Sequence, residues 1–176
     1  WIYFFGKNKI PEFIKLVEDI DLWRLKYEKQ THALASYGSF FFNKPKDIVP
    51  YFKKNIKELL KKGKLLYNFI QNYETEFIKN AKETPLKIGG VVVRGYNAPP
   101  MITSSLGNYF SKQYREPIAL FQIKGAEVRF SFRSTDACKI SSLELAKMLG
   151  GGGHRNAAGA AVYLKDFYKM IVYEKK

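Results

Sequence analysis

The segment "LGGGGHRNAAGAAV", residues 149–162, decides the predicted fold of the second half of this chain. Four consecutive glycines precede His154, and mostly small residues follow it. Glycine tolerates positive φ and lets a backbone or a ligand approach closely, but each one costs conformational entropy on folding. The run therefore predicts a close-packed or ligand-binding connection between a helix and a strand.

The order of elements around the glycines excludes the two standard nucleotide-binding loops. No Gly-Lys-Ser/Thr closes the run, and a dinucleotide fingerprint lies between a strand and a helix, whereas these glycines lie between a helix and a strand. Consecutive backbone amides can instead form a nest around an anion, with side-chain donors beside them. The sequence predicts a phosphate site here, with these members: Gly151, Gly152, Gly153, His154 and Arg155.

A second group of anion-binding residues lies upstream, in "FSFRSTD" at residues 130–136. Arg133 is predicted at the end of a strand, with Ser131 and Ser134 on either side of it. A guanidinium group and hydroxyl groups are the donors that commonly meet a phosphate. The segment is therefore another place where a cation and hydroxyl groups could meet an anion.

Periodicity predicts an α/β fold in which a mixed β-sheet is flanked by helices, because strands and helices alternate after residue 86. The predicted strands cover residues 88–95, 117–124, 127–133 and 157–164, and the predicted helices cover 102–113, 141–149 and a short segment starting near Asp166.

The sequence of the first half of the chain predicts a partial α/β segment and a long connecting helix. "WIYFF" at residues 1–5 predicts a strand, and Pro11 suits the first turn of a helix. Between residues 51 and 82, apolar residues recur at intervals of four and three, and Gly63 in that pattern marks a close crossing or a break. The predicted domains are 1–50, 51–86 and 87–176, and the start at Trp1 predicts further sequence upstream.

The net charge admits two interpretations: an anionic partner, or a solvated basic surface or a basic protein held inside a larger assembly. The net charge of +14 is spread over the chain, +6 over residues 1–85 and +8 over residues 86–176, which suits nucleic acid or nucleotide phosphates. A single cysteine and two histidines make a zinc site improbable and fit a reducing, intracellular compartment such as the cytoplasm or an organelle matrix. No apolar run is long enough to predict a membrane span.

The motifs resemble those of the DHH (Asp-His-His) phosphoesterases. "GGGHRNAAG" at residues 151–159, preceded by "SFRS" at 131–134, is similar to the C-terminal associated domain of that family. "VEDIDLWRLKYEKQTHALASYG" at residues 17–38 resembles the end of the catalytic domain in its small-oligonucleotide branch. The resemblance implies a two-domain enzyme in which two Mn²⁺ or Mg²⁺ ions activate water while the associated domain grips a substrate phosphate.

The resemblance also implies roles for individual residues. The glycines with His154 would cradle the phosphate, and Arg133 with Ser134 would assist. Asp19 would be the last metal ligand of the catalytic domain, with Asp21 as the alternative.

The Asp-His-His signature and the upstream aspartate motifs are absent from the chain. One or two carboxylates do not hold two divalent ions, so the chain is not expected to hydrolyse a substrate alone. The first hypothesis is the substrate-binding half of a metal-dependent phosphodiesterase acting on short oligonucleotides or nucleotides, with the catalytic half upstream or on another chain. The alternative is a non-catalytic subunit of the same ancestry, with a structural or nucleic-acid-binding role in a large, for example organellar, complex.

Overall fold

A computed structural model of the protein describes residues 3, 6, 10–22, 24–52 and 55–173. The chain divides into two compact units, residues 1–73 and 74–176. The strand expected at residues 1–5 and its following turn lie almost entirely outside the described residues. Within the described part, no helix combines the length and the apolar character that a membrane span requires.

The first unit is helical in its described part. Its elements are α1 (Glu12–Asp21), α2 (Glu28–Phe41), α3 (Pro45–Ile48), a 3₁₀ turn (Val49–Phe52) and the beginning of α4 (Lys57–Asn80). Pro11 precedes α1, and Pro45 is the first residue of α3, where the missing amide hydrogen costs no helical bond. Apolar residues from α1, from α2, from the residue before α4 and from the first turn of α4 form one buried cluster: Phe13, Leu16, Leu34, Ile56 and Leu59.

The long connecting helix, α4, is uninterrupted at Gly63. A Cβ on Gly63 would lie 2.1 Å from the carbonyl oxygen of Ala33 in α2, so the glycine permits a close crossing of two helices. Of the two explanations for Gly63, the structure shows the crossing. The helix begins at Lys57, later than expected, because residues 49–52 form a 3₁₀ turn instead.

The second unit contains the mixed sheet flanked by helices that the periodicity predicts. The strands are β1 (Thr84–Ile88), β2 (Val91–Asn97), β3 (Ile118–Lys124), β4 (Glu127–Arg133), β5 (Gly152–His154) and β6 (Ala157–Tyr163), in the spatial order β1-β2-β3-β4-β6-β5. Only the β2–β3 pair is parallel among these strands. The helices are α5 (Thr103–Tyr114), α6 (Ser142–Met148) and α7 (Leu164–Met170), and a 3₁₀ turn (Pro100–Ile102) leads into α5.

The prediction of a single strand at residues 88–95 is wrong, because two strands occupy this segment. The segment forms a hairpin of β1 and β2 joined by Gly89 and Gly90, whose φ angles of +55° and +88° suit a two-residue turn that L-residues adopt poorly. Residues 84–86, expected in the linker, therefore belong to the sheet. The other strands of the expected set start and end within one residue of their expected bounds.

The sheet has one covered face and one partly open face. Along β4, Val128, Phe130 and Phe132 are buried in the main core, which also contains residues of α6 and α7. The alternate residues, Arg129 among them, point to the opposite face. Helix α5 packs on β3 and β4 on that face and leaves part of it uncovered.

Candidate phosphate-binding site

A cleft of about 580 Å³ occupies the open part of the sheet beside the beginning of α5. Its floor is formed by small residues of β6 and by Ser131, and its walls carry amide, hydroxyl and guanidinium groups. The full lining is Pro100, Thr103, Ser104, Gln122, Arg129, Phe130, Ser131, Arg133, Gly159, Ala160 and Ala161. The lining includes two arginines and no carboxylate, so the cleft suits an anionic ligand.

Arg133 is the half-buried cation of this cleft. Its Nη1 donates to the carbonyl oxygen of Phe132 at 2.9 Å, and its Nη2 donates to Ser104 Oγ at 3.0 Å. No carboxylate in the described part of the chain pairs with it, and burial lowers the pKa of its guanidinium. A guanidinium has five N–H donors, so Arg133 retains donors and an uncompensated charge for a ligand.

Helix α5 holds the stem of Arg133 in place. A Cβ on Gly107 would lie 2.6 Å from Arg133 Cγ and 2.8 Å from Leu120 Cδ1. Gly107 therefore lets the arginine stem lie flat between the helix and the sheet. The guanidinium is directed toward Ser104 in the first turn of α5, where helix amides favour negative charge.

Strand register places His154 on the same face as Arg133. Arg133 lies opposite Ala157, and Ala157 lies opposite His154, and directly opposed residues share a face of the sheet. Two strand spacings separate the Cα atoms of Arg133 and His154 by roughly 10 Å. The imidazole is exposed, so it is free to meet a ligand that reaches across the strands.

Arg155 is in the turn that joins β5 and β6, and it already has an acidic neighbour. Its Nε lies 3.5 Å from Asp136 Oδ1, and Asn156 Nδ2 donates to the same oxygen at 2.9 Å. The hydrogen bond from Asn156, aided by Arg155, holds the pKa of Asp136 below its ordinary value. Part of the charge of Arg155 is therefore compensated within the chain.

Two of the four glycines complete the end of α6. Gly150 has φ of +74°, and its amide donates to the carbonyl of Lys147, while the amide of Gly151 donates to that of Ala146. These two bonds form a Schellman motif, the common glycine-dependent end of a helix. A Cβ on Gly151 would also lie 2.1 Å from the carbonyl oxygen of Gly159.

The other two glycines lie in β5, and contacts within the fold require a glycine at only one of the two positions. Gly153 has φ of +144°, and a Cβ there would lie 2.6 Å from Ala158 Cα. A Cβ on Gly152 would meet nothing within 4 Å. Through Gly159, Gly152 shares a face with Ser131 of the cleft. The fold does not require a glycine at 152, which leaves room there for a ligand.

The expected nest of consecutive amides is not formed. The Gly151 amide is bound to Ala146, and residues Gly152–His154 are extended and paired with β6. A nest needs successive amides that converge on one point, whereas amides alternate in direction along a strand. The glycine segment instead leaves open space at Gly152 and places His154 on the same face of the sheet as Arg133.

The expected role of Ser134 as a phosphate donor does not fit its surroundings. Its side chain is 6% exposed. Its hydroxyl accepts from the amide and the hydroxyl of Ser142 at 2.9 and 3.0 Å and lies 3.2 Å from the carbonyl oxygen of Arg155, to which it can donate. Ser134 therefore joins the start of α6 to the β5–β6 turn and supports the site from behind.

Asp19 is a buried carboxylate whose hydrogen bonds all lie within the first unit. It is 3% exposed, Oδ1 accepts from the amide of Lys26 at 2.9 Å, and Oδ2 accepts from the amide of Tyr27 at 3.2 Å and from the hydroxyl of Thr31. Burial alone would raise the pKa of Asp19, but these hydrogen bonds outweigh it and hold the pKa below its ordinary value. Asp19 thus holds the segment that leads into α2 and the first turn of that helix.

The residues present do not fit a two-metal centre. Asp21, the alternative ligand, is exposed at the end of α1. Residues 10–22, 24–52 and 55–173 contain no cluster of three or more His, Cys, Asp or Glu side chains able to hold a metal ion. With both Asp19 oxygens occupied by donors, neither aspartate is arranged as part of a Mn²⁺ or Mg²⁺ site.

Sequence reasoning missed several residues that build the cleft. Ser104 and Gly107 lie in "SSLGNY", which reads as an ordinary helix, and Arg129 lies on a strand with no motif around it. Gln122 Nε2 donates to the carbonyl of Ala98 at 3.1 Å and so supports the turn before α5. The available signal was alternation: Arg129, Ser131 and Arg133 are two residues apart on one strand.

Comparison with known proteins finds a family that matches part of the chain. Residues 87–172 match the DHHA1 domain. An uncharacterized protein of Acanthamoeba polyphaga mimivirus is 29% identical over 175 residues, which covers 92% of this chain, and the chain spans 39% of the length of that relative.

One of two similar solved structures supports a shared fold. The pGpG-specific phosphodiesterase PggH of Vibrio cholerae superposes with a TM-score of 0.50 at 14% identity, over 96% of this chain and 68% of that one. The C-Ala domain of Aquifex aeolicus alanyl-tRNA synthetase gives a TM-score of 0.33 at 15% identity, over 50% of this chain and 88% of that one. The DHHA1 match over residues 87–172 agrees with the resemblance to the DHH-associated domain that the motifs predicted, and the structure from Vibrio cholerae supports a shared fold.

Proposed function

We propose that this chain is the substrate-binding half of a DHH-type phosphodiesterase and that its cleft holds a phosphate group of a nucleotide or a short oligonucleotide. The chain does not cut the substrate itself. The catalytic half, with its divalent ions, is supplied by other residues, upstream or on another chain.

One observation carries the proposal: Arg133 is a half-buried cation without an acidic partner among the described residues, in a cleft without a carboxylate in its lining. Desolvating a charge is costly unless a counter-charge is provided. A phosphate would provide that counter-charge and could accept two hydrogen bonds from the guanidinium at once. The open position at Gly152 and the exposed His154 on the same face add space and a further donor.

Ligand binding by the full chain tests the proposal. The solved structure from Vibrio cholerae is described as specific for pGpG, so pGpG and GMP are suitable ligands for calorimetry, with EDTA present to exclude divalent ions. We expect both to bind and Arg133→Met to weaken both by about a hundredfold, because truncating one partner of a close charge pair costs about 2–5 kcal/mol.

Lys112→Met is the matched control. It removes the same charge from the exposed last turn of α5, outside the cleft lining, and it should change affinity by less than about twofold. Absence of binding by the unaltered chain, or equal losses in the two variants, would refute the proposal. Thermal unfolding of both variants checks that the fold is retained.

The surroundings of Asp19 favour a second function, the non-catalytic subunit. An aspartate held by two amides and a hydroxyl serves the packing of its own unit and does not need a metal. Such a subunit would keep the phosphate cleft and use it to bind nucleic acid within a larger complex. The net charge of +14 suits that role as well.

Manganese binding tests the support that Asp19 gives to this second function. Electron paramagnetic resonance of Mn²⁺ titrated into the full chain should show no stoichiometric site, and Asp19→Asn should leave the titration unchanged. A one-to-one Mn²⁺ site that disappears in Asp19→Asn would assign Asp19 to a metal centre and remove the support for the non-catalytic subunit.

A further inference from the structure

The open face of the sheet continues past the phosphate-binding site toward the other end of β4. Arg129 lines the same cleft as Arg133 and lies four residues from it on the same strand, on the same face. Four residues of antiparallel strand span about 14 Å. The cleft therefore has a positive residue at each end and the hydroxyl of Ser131 between them.

The two guanidinium groups are directed apart. Arg133 is bound to Ser104 and to the carbonyl of Phe132. The Nη2 of Arg129 lies 3.8 Å from Glu127 Oε2, farther along the strand from Arg133. This ion pair is exposed on both sides and is readily exchanged for another anion. A single phosphate at Arg133 thus leaves the charge of Arg129 available.

An exposed aromatic residue lies diagonally from Arg129 on the neighbouring strand, directly opposite Glu127. Arg129 faces Ala161 on β6, and Tyr163 is two residues farther along, on the same face and about 7 Å away along the strand. Tyr163 is 62% exposed. The ammonium group of Lys165 lies 5.7 Å from its ring centroid and adds another positive charge at this end.

The combination of a cation and an exposed ring is the usual means of holding one nucleotide of a single strand, because every base has a face that stacks on an aromatic side chain. We propose that Arg129 and Tyr163 form a second nucleotide subsite, in which Arg129 binds a phosphate and Tyr163 stacks against a base. This inference rests on the proposed phosphate site at Arg133. It makes the preferred ligand a short oligonucleotide of at least two nucleotides that runs along β4.

Affinities for one and two nucleotides test the subsite, measured by calorimetry on the full chain with GMP and pGpG. The unaltered chain should bind pGpG at least about tenfold more tightly than GMP. Tyr163→Ala and Arg129→Gln should each lower the affinity for pGpG by about tenfold. They should leave the affinity for GMP unchanged, since GMP occupies only the Arg133 end of the cleft. Tyr163→Phe keeps the stacking face and should keep the pGpG affinity within about twofold of its original value.

Tyr168→Ala is the matched control for the tyrosine. Tyr168 is 54% exposed on α7, next to Phe167, which packs on the covered face of the sheet. Its loss should change neither affinity. Tyr163 and Arg129 are exposed strand residues, so their variants should fold, and circular dichroism verifies this before binding is measured.

The outcomes separate the subsite from the function on which it rests. Equal binding of GMP and pGpG, or a pGpG affinity insensitive to either Tyr163→Ala or Arg129→Gln, overturns the subsite while Arg133-dependent binding of GMP stands. An equal loss of GMP and pGpG binding in Tyr163→Ala also overturns it. If the unaltered chain binds neither ligand, the proposed function fails and the subsite fails with it.

Discussion

Asp19 in the helical unit and Arg133 in the sheet-bearing unit are two charged residues that sequence motifs single out as ligands, and their surroundings are opposite. Both oxygens of Asp19 accept hydrogen bonds from its own unit. The guanidinium of Arg133 donates to two neutral oxygens, the carbonyl oxygen of Phe132 and Ser104 Oγ, and it has no acidic partner in the described part of the chain. The first charge is compensated within the fold, whereas the second still lacks a counter-charge.

The difference separates residues that the fold itself uses from residues that remain available to a ligand. Asp19 provides acceptors where α1 and α2 would otherwise leave buried donors without partners. Arg133 provides donors that the fold leaves partly unused. A motif identifies the position of a charged residue, and only the surrounding hydrogen bonds show which purpose it serves. Four measurements can break or sharpen this contrast.

The largest expected effect is on thermal stability. Asp19→Ala should lower the unfolding midpoint of the first unit by many degrees, because Thr31 is fully buried and would lose its acceptor. Arg133→Met should leave the midpoint unchanged or raise it, since it removes a half-buried charge that lacks a counter-charge. Differential scanning calorimetry of both variants makes the comparison, and a large loss in Arg133→Met would show that its charge is compensated within the fold.

The glycines give the next effect. Gly151→Ala should cost about 2–3 kcal/mol, because the Cβ would lie 2.1 Å from the carbonyl oxygen of Gly159. Gly152→Ala should change stability by less than about 0.5 kcal/mol, yet weaken GMP binding by roughly tenfold by filling the space above the strand. Urea unfolding and calorimetric titration measure the two effects. A similar loss of stability in both variants would contradict the separate roles of these glycines.

Acid should lower the free energy of unfolding of the first unit, because Asp19 becomes protonated. Its pKa lies below the ordinary 3.8 in the folded chain, so the carboxylate contributes stability at neutral pH, and this contribution is lost as the pH falls below about 4. Asp19→Asn lacks this contribution at every pH. The stability difference between the original chain and Asp19→Asn should therefore narrow from pH 6 to pH 3, as measured by urea unfolding. A constant difference would assign the effect to packing.

The smallest expected effect concerns Arg155. The exposed carboxylate of Asp136, whose Oδ1 lies 3.5 Å from Arg155 Nε, would compete with a phosphate for the guanidinium. Asp136→Asn keeps an acceptor for Asn156 and frees the charge of Arg155, so GMP affinity should rise by roughly two- to threefold, as expected for an exposed ion pair. A fall in affinity on calorimetric titration would instead show that the Asp136 carboxylate fixes the β5–β6 turn.

Much of the fold follows from local sequence. Strands β3, β4 and β6 and helix α5 combine clear apolar periodicity with turn residues at both ends, so their bounds are close to those expected. Strand β1 was missed because Pro85 and the glycine pair resemble a linker. Strand β5 was missed because glycine has little intrinsic tendency to form strands, and its conformation is set by pairing with β6.

The site was partly predictable. Motifs and residue types singled out Arg133, His154 and Gly152, which the sheet brings to one face. They did not separate these from Ser134 and Gly151, whose hydrogen bonds lie inside the domain, nor did they indicate Arg129 or Ser104. Such distinctions depend on strand register and helix placement, which arise from tertiary contacts.

The register of β5 makes the length of the glycine run as important as its composition. The amide of Gly151 is anchored to Ala146, and His154 is anchored opposite Ala157, so only two residues lie between the anchors. Side chains alternate between the faces of a strand with a period of two. Inserting or deleting one glycine would send the imidazole to the covered face or detach one anchor. An even count between two fixed points therefore determines which face of the sheet the histidine occupies.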